Sequence, residues 1–235
     1  MSILPFTILS MHYLLIGSLY LSTTLRHKMK IYDIENFPNP LRVRIALAEK
    51  GATDSVEFIN VDVMQGEHRG DDFKQKNPAA SVPVLELDNG TCIAESSAII
   101  DYIDNAFAGT PLTGSTAEEK ALISMFQRRA EFMVLDAIGG YFHHATEGLG
   151  PNLELNQNKA WGEYQYTLAL KGLDYFNQQL KNRDFVTADQ FSAADIALYA
   201  GLIFAGFAAI EIPETCQNLL RWKARMETRP SISLN

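Results

Sequence analysis

Cysteine is nearly absent from this chain: Cys92 and Cys216 are the only two in 235 residues. Two cannot build a disulfide framework or a four-cysteine zinc site, and the expected compartment is a reducing, cytoplasmic one. No C-x-x-C pair is present, which excludes thiol–disulfide exchange through two protein cysteines. A basic excess is also missing. The net charge of −8 speaks against a nucleic-acid partner. No third ligand stands at a metal-binding spacing from His143-His144, so no metal is expected. With 47% apolar and 20% charged residues the chain is an ordinary globular one, long enough for one large domain or two small ones.

Charge is missing locally as well. Met1 to Leu25 contains no Asp, Glu, Lys or Arg, and Arg26, His27, Lys28 and Lys30 follow it. A secretory leader carries its positive charge before the apolar stretch, the reverse of this order. A membrane span needs about 20 apolar residues, and Ile3 to Leu21 is interrupted by Pro5, Ser10, His12 and Ser18. Residues 1–28 are therefore expected to be an N-terminal extension. An over-extended start is favoured over an anchor or a cleaved segment, because Met29 runs directly into a strand.

The body divides in two. Lys30 to Ile34 reads as a strand, and Leu41 to Lys50 as a helix stopped by Gly51. Val56 to Val63 reads as a strand whose alternation slips at Ile59, and Asp71 to Lys76 as a short helix. Val82 to Leu87 and Thr91 to Ala94 read as strands joined by an Asn89-Gly90 two-residue hairpin. Ser96 to Asn105 places Ile99, Ile100 and Ile103 on one helical side. The order βαβαββα fills 29–109, and a turn-rich linker occupies 110–115. From 116 to 235 everything reads as helix: a long one to His144 bent at Gly139-Gly140, then Leu155 to Leu180 with Trp161, Tyr164, Leu168, Leu173 and Phe176 facing inward, an apolar one from Ala193, and a last one from Glu214 to Thr228.

Several residues can carry chemistry. A proline follows Val82, and X–Pro is the one bond where cis is cheap. A cis bond would offer the Val82 backbone to a peptide-like ligand, and a trans proline opening a strand is the ordinary alternative. Glu95-Ser96 opens a helix. It is either a plain cap or a cradle for an α-amino acid, whose carboxylate a helix N-terminus attracts. Ser192 and Asp195 have the spacing of a capping box and a structural role. His143 or His144 can act as a base or hold a water, or can satisfy helix-end carbonyls. Adjacent residues point about 100° apart, so one of the two faces a site.

Taken together, Leu41 to Gly51 (LRVRIALAEKG), Asn77-Pro78 leading into Val82-Pro83-Val84-Leu85, Glu95-Ser96-Ser97-Ala98-Ile99 and Ser192 to Asp195 resemble the cytosolic glutathione transferases over nearly all of 29–235. Gly66-Glu67-His68 and Tyr141 to Pro151 are most similar to the atypical group known from yeast and bacteria. The resemblance implies a thioredoxin-like domain followed by an all-helical one, a homodimer, and no bound cofactor. Glutathione is the implied co-substrate, with a small apolar electrophile as the second. Val82 and Pro83 would meet its cysteinyl backbone, Glu95 and Ser96 its γ-glutamyl end, and His68 its glycine carboxylate.

The departures concern the thiol. Phe37 stands where the family pattern expects a serine, and Ala80 where it expects glycine. The most similar group activates the thiol through the N-terminus of the first helix and a water held by a His and a Ser. His143 matches that His, and Gly139 occupies the Ser position. The expectation is that the N-terminus at Asn39, with N–H groups around Leu41 and Arg42, stabilises the thiolate, and that His143 assists through water.

Overall fold

The computed structural model describes residues 28–187 and 190–233, so the readings of residues 1–27 lie outside the described residues. Strand β1 (Met29–Asp33) runs through helix α1 (Pro38–Glu49) into β2 (Val56–Asn60). Helix α2 (Asp71–Lys74) precedes the antiparallel pair β3 (Val84–Glu86) and β4 (Cys92–Ala94), and α3 (Ser96–Ala106) closes the unit. The sheet order is β2-β1-β3-β4, with only β1 and β2 parallel. A parallel pair needs a crossover, and α1 supplies it. Val43, Ile45, Ala46 and Leu47 of α1 and the three isoleucines of α3 are buried against Ile31 and Leu85.

Three local expectations are corrected. Helix α1 begins at Pro38, three residues early, because proline is tolerated in a first turn that needs no N–H. Strand β2 ends at Asn60. Val61 and Val63 are buried, but in a second small cluster with Phe73 and Val84, which explains the slip in alternation. The hairpin loop has three residues, Asp88-Asn89-Gly90: Gly90 N donates to Leu87 O (2.8 Å), Leu87 N donates to Thr91 O (2.9 Å), and only Gly90 has positive φ. That is a type I turn closed by a glycine bulge.

The second half is helical, with α4 (Ala117–Ala130), α5 (Asp136–Ala145), α6 (Lys159–Gln179), α7 (Ala193–Phe207), α8 (Gln217–Glu227) and a further turn, α9 (Pro230–Ser233). A reciprocal capping box of Thr116 and Glu119 opens α4. The long rod is interrupted by a π-helical turn over Glu131–Leu135, not at Gly139-Gly140. Those glycines serve packing: a Cβ on Gly139 would stand 3.0 Å from the Phe204 ring, and one on Gly140 2.7 Å from Gln165. Helix α6 starts at Lys159, after its Asn158 cap, four residues later than expected. Trp161 and Tyr164 are exposed, while Leu173 and Phe176 are buried as expected.

Helix α7 is buried on nearly every side. Its capping box is formed as expected. Asp195 accepts from Ser192 N (3.1 Å), Ser192 Oγ (3.0 Å), Val186 N (2.9 Å) and Trp222 Nε1 (3.2 Å). Burial pushes its carboxyl up to about 6, and the four donors offset only part of that. Among the described residues no helix is long and apolar enough to cross a membrane.

Candidate active site

Two helix N-termini converge beside β3. Phe37 caps α1 with no side-chain bond, and Pro38 and Pro40 carry no N–H. Leu41 N donates to Phe37 O at 2.9 Å. The N–H of Leu41 is therefore committed to the helix, and the ladder takes that of Arg42 one residue further in. The expectation of free donors at those two positions is not met. Asn39 has the only N–H among the first three helical residues, and that N–H has no partner among the described residues. Two consequences of the local sequence thus concentrate the end of this helix on a single residue.

Asn39 is fixed from two sides. Its carbonyl accepts from Ser96 Oγ at 3.0 Å, which ties the start of α3 to the start of α1. Its Oδ1 accepts from Arg42 at 3.2 Å, so its amide NH2 points elsewhere. Arg42 is buried and pairs with Glu131 of the π-helical turn, while its Nε has no partner among the described residues. Leu41 packs into the core and lines neither cleft.

On one side of Asn39 lies a polar cleft of about 290 Å³. Its walls include Val82, Pro83, Glu95, Ser96, Arg128 and Asp136. Glu95 adopts φ 67°, ψ 118°, a conformation that costs a non-glycine residue on the order of 1–3 kcal/mol and clusters at functional sites. The carboxyl of Asp136 is raised, by burial first and then by the charge of Glu131, with Arg42 and Arg128 opposing. Arg42 is already engaged with Glu131. A cation entering here would relieve Asp136 and Glu95, and the N–H groups that open α3 would take an anion. That combination suits a zwitterionic α-amino acid.

The Val82–Pro83 peptide is cis. The Val82 N–H and C=O have no partner among the described residues, and Val82 lines both this cleft and the next. Asn77 holds the approach: its Nδ2 donates to Ser81 O (2.8 Å), and its Oδ1 accepts from Ala79 N (3.0 Å). Ala80 has φ 53°, a left-handed conformation that favours glycine.

On the other side of Asn39 is a cleft of about 250 Å³, lined by Phe37, Phe142, Phe204 and Phe207 with His68, Arg69 and His143. Phe37 stands 6.4 Å from Phe207, and Phe142 5.3 Å from Phe204, centroid to centroid. His68 is buried, and its Nδ1 has no partner among the described residues. Burial, with a lesser contribution from Arg69, lowers its pKa. His143 places Nδ1 2.7 Å from Glu154 Oε1. His144 lies outside the aromatic cleft and accepts from Asn158 N at 3.0 Å. The carbonyls of His143 and Thr146 take Gln157 Nε2 at 2.9 and 2.8 Å, so neither histidine serves the helix end.

The clefts thus gather His143, Asn39, Arg42, His68, Val82, Pro83, Glu95 and Ser96. Leu41, Ser192 and Asp195 stand outside them. Sequence reasoning missed Glu154, Asp136, Arg128 and Glu131. An acid eleven residues from its histidine across an irregular loop leaves no pattern to find. The described residues hold no cluster of three or more metal-ligating side chains.

Residues 27–105 match the family model "Glutathione S-transferase, N-terminal domain", and residues 131–230 the corresponding C-terminal domain. Glutathione S-transferase 2 of Saccharomyces cerevisiae is 51% identical over 209 residues, 88% of this chain and 89% of that protein. The crystal structure of Gtt2 from S. cerevisiae superposes with a TM-score of 0.86 at 49% identity, covering 87% of this chain and 99% of that one. A glutathione S-transferase domain-containing protein of Marinobacter aquaeolei gives 0.85 at 56%, covering 86% and 99%. The matches span both halves at high identity, and the chain belongs to the glutathione S-transferase family, on its yeast-type branch.

Proposed function

We propose that the protein conjugates the glutathione thiolate to small apolar electrophiles. The observation that carries this reading is the position of Asn39. It is the one residue shared by the polar cleft and the aromatic cleft that also presents an unpaired first-turn N–H. In this reading Glu95, Asp136 and the N–H groups of Ser96 and Ser97 hold the γ-glutamyl end. The unpaired Val82 backbone holds the cysteinyl unit, and His68 with Arg69 meets the glycine carboxylate. The sulfur then lies over Asn39, between the clefts, facing the phenylalanines that receive the electrophile.

Activation does not need a hydroxyl at Phe37. A free thiol has a pKa near 8.5, and a helix N-terminus lowers it. Each unit of depression is about 1.4 kcal/mol in favour of the nucleophilic form. His143 adds a base within the same aromatic cleft. Gly139 cannot be replaced by serine without moving Phe204, so any water on His143 finds its second partner elsewhere. A homodimer, a cytoplasmic location and a detoxifying role belong to the same reading.

Titration of the thiolate absorbance of glutathione bound to the purified protein tests it. A bound-thiol pKa at least one unit below the free value is expected. Phe37 and Gly139 favour the rival reading of a glutathione-binding carrier, and saturable binding with an unshifted thiol would establish that instead.

A further inference from the structure

We propose that Glu154 is a positioning residue for His143, and that the pair forms a carboxylate–imidazole dyad serving the bound thiol. The inference rests on the conjugation reading above. Glu154 lies in the irregular loop between α5 and α6, and its side chain is one-tenth exposed. One oxygen, Oε1, accepts both from His143 Nδ1 at 2.7 Å and from Leu149 N at 2.8 Å. The loop is built around it: a Cβ on Gly148, which has φ 54°, would stand 2.4 Å from the same oxygen. A carboxylate accepts only, so Nδ1 carries the hydrogen, and the neutral imidazole has its lone pair on Nε2. Nε2 makes no hydrogen bond among the described residues, and the ring lines the aromatic cleft. Phe142 and Phe204 meet the ring edge-on and restrict its rotation.

This arrangement answers the absence of a hydroxyl at Phe37 and Gly139. The thiol proton passes to Nε2, directly or through a water. Sulfur keeps the S–H pair and uses it to form the S–C bond, while the electrophile's leaving group departs with its own pair. The imidazolium formed is opposite Glu154 and later returns its proton to solvent. The other ionisable groups facing His143 are His68 and Arg69 from the thioredoxin-like half and Asp136 and His144 from its own helix. Helix α7 lines the cleft there with Phe204 and Phe207, neither of them ionisable. None of these but Glu154 touches Nδ1. Leu149, held by the same carboxylate, is a wall of the aromatic cleft, so Glu154 fixes the base and the edge of the electrophile site together.

The test compares the full-length protein with Glu154→Gln, Glu154→Asp, His143→Ala and the double variant, using glutathione and chlorodinitrobenzene. Glu154→Gln is expected to lose at least about 10-fold in kcat/KM, the lower end of what removing the carboxylate behind a metal-bound histidine costs. The KM for glutathione should hold within about twofold, since Glu154 lies away from the polar cleft. Glu154→Asp should recover part of the rate, and Glu154→Gln should add nothing in a His143→Ala background. Imidazole nitrogen-15 shifts should show the Nδ1–H form in the parent protein and a mixture in Glu154→Gln, a readout that loop damage alone would not give. A parent-like rate in Glu154→Gln, or an equal loss with and without His143, would overturn the dyad while leaving the conjugation reading intact. A fully active His143→Ala would overturn the dyad and the role of His143 in that reading together.

Discussion

His68 shows how much one side chain's surroundings matter. It sits on a tight turn behind left-handed Gly66, buried, with Nδ1 unpaired, and its pKa is held below the ordinary 6.5 by burial. The unfolded chain takes up a proton near pH 6.5 and the folded one resists it. His68 therefore contributes stability that is present above pH 6.5 and lost as pH falls through the folded value. Unfolding free energies of the parent and His68→Asn, measured from pH 5 to 8, should differ more in the parent's favour at pH 7 than at pH 5. Gly66-Glu67-His68 singles this histidine out in the sequence, but its burial was not legible there, because burial depends on what packs over the turn.

At the level of elements, helix signals in the sequence were reliable where they were chemical and weaker where they were geometric. The Ser192–Asp195 capping box and the Gly51 stop are local rules, satisfied by neighbours in sequence. The break in the long helix was misplaced because glycine suggests a bend, whereas here Gly139 and Gly140 admit neighbouring side chains. The π-helical turn leaves its mark on the opposite helix. A Cβ on Gly172 of α6 would stand 2.1 Å from the Met133 carbonyl oxygen. A backbone atom cannot swing aside as a side chain can. Gly172→Ala should lower stability by about 3 kcal/mol, the upper part of the overpacking range, despite the better helix propensity of alanine. Chemical denaturation would show this, and an unchanged midpoint would mean that α6 can shift against the turn.

Over the whole molecule, the two halves are not separate cores. One buried cluster runs from Ile31 and Leu47 through Ile138 to Trp222 and Met226. Glu49 at the end of α1 takes Arg229 in a two-pronged pair (3.0 and 2.8 Å), and the Arg229 guanidinium lies 3.9 Å over the Phe191 ring. Calorimetry should show a single transition. Glu49→Ala should cost about 1 kcal/mol, modest because the pair is partly exposed, and should keep that transition single. Two resolved transitions would mean that the shared cluster couples the halves less than its continuity implies.

The sequence by itself determined the order of elements and the family. Those depend on hydrophobic period, turn residues and caps, which act between near neighbours. Tertiary structure decided the rest. Pro38 and Pro40 leave one donor where several were expected, because α1 begins earlier than its apolar stripe. Trp161 and Tyr164 face out, since no element covers that part of α6 among the described residues. Glu154 reaches His143 only because an irregular loop returns to α5. Such contacts join residues with no periodic relation, and only the packed chain brings them together.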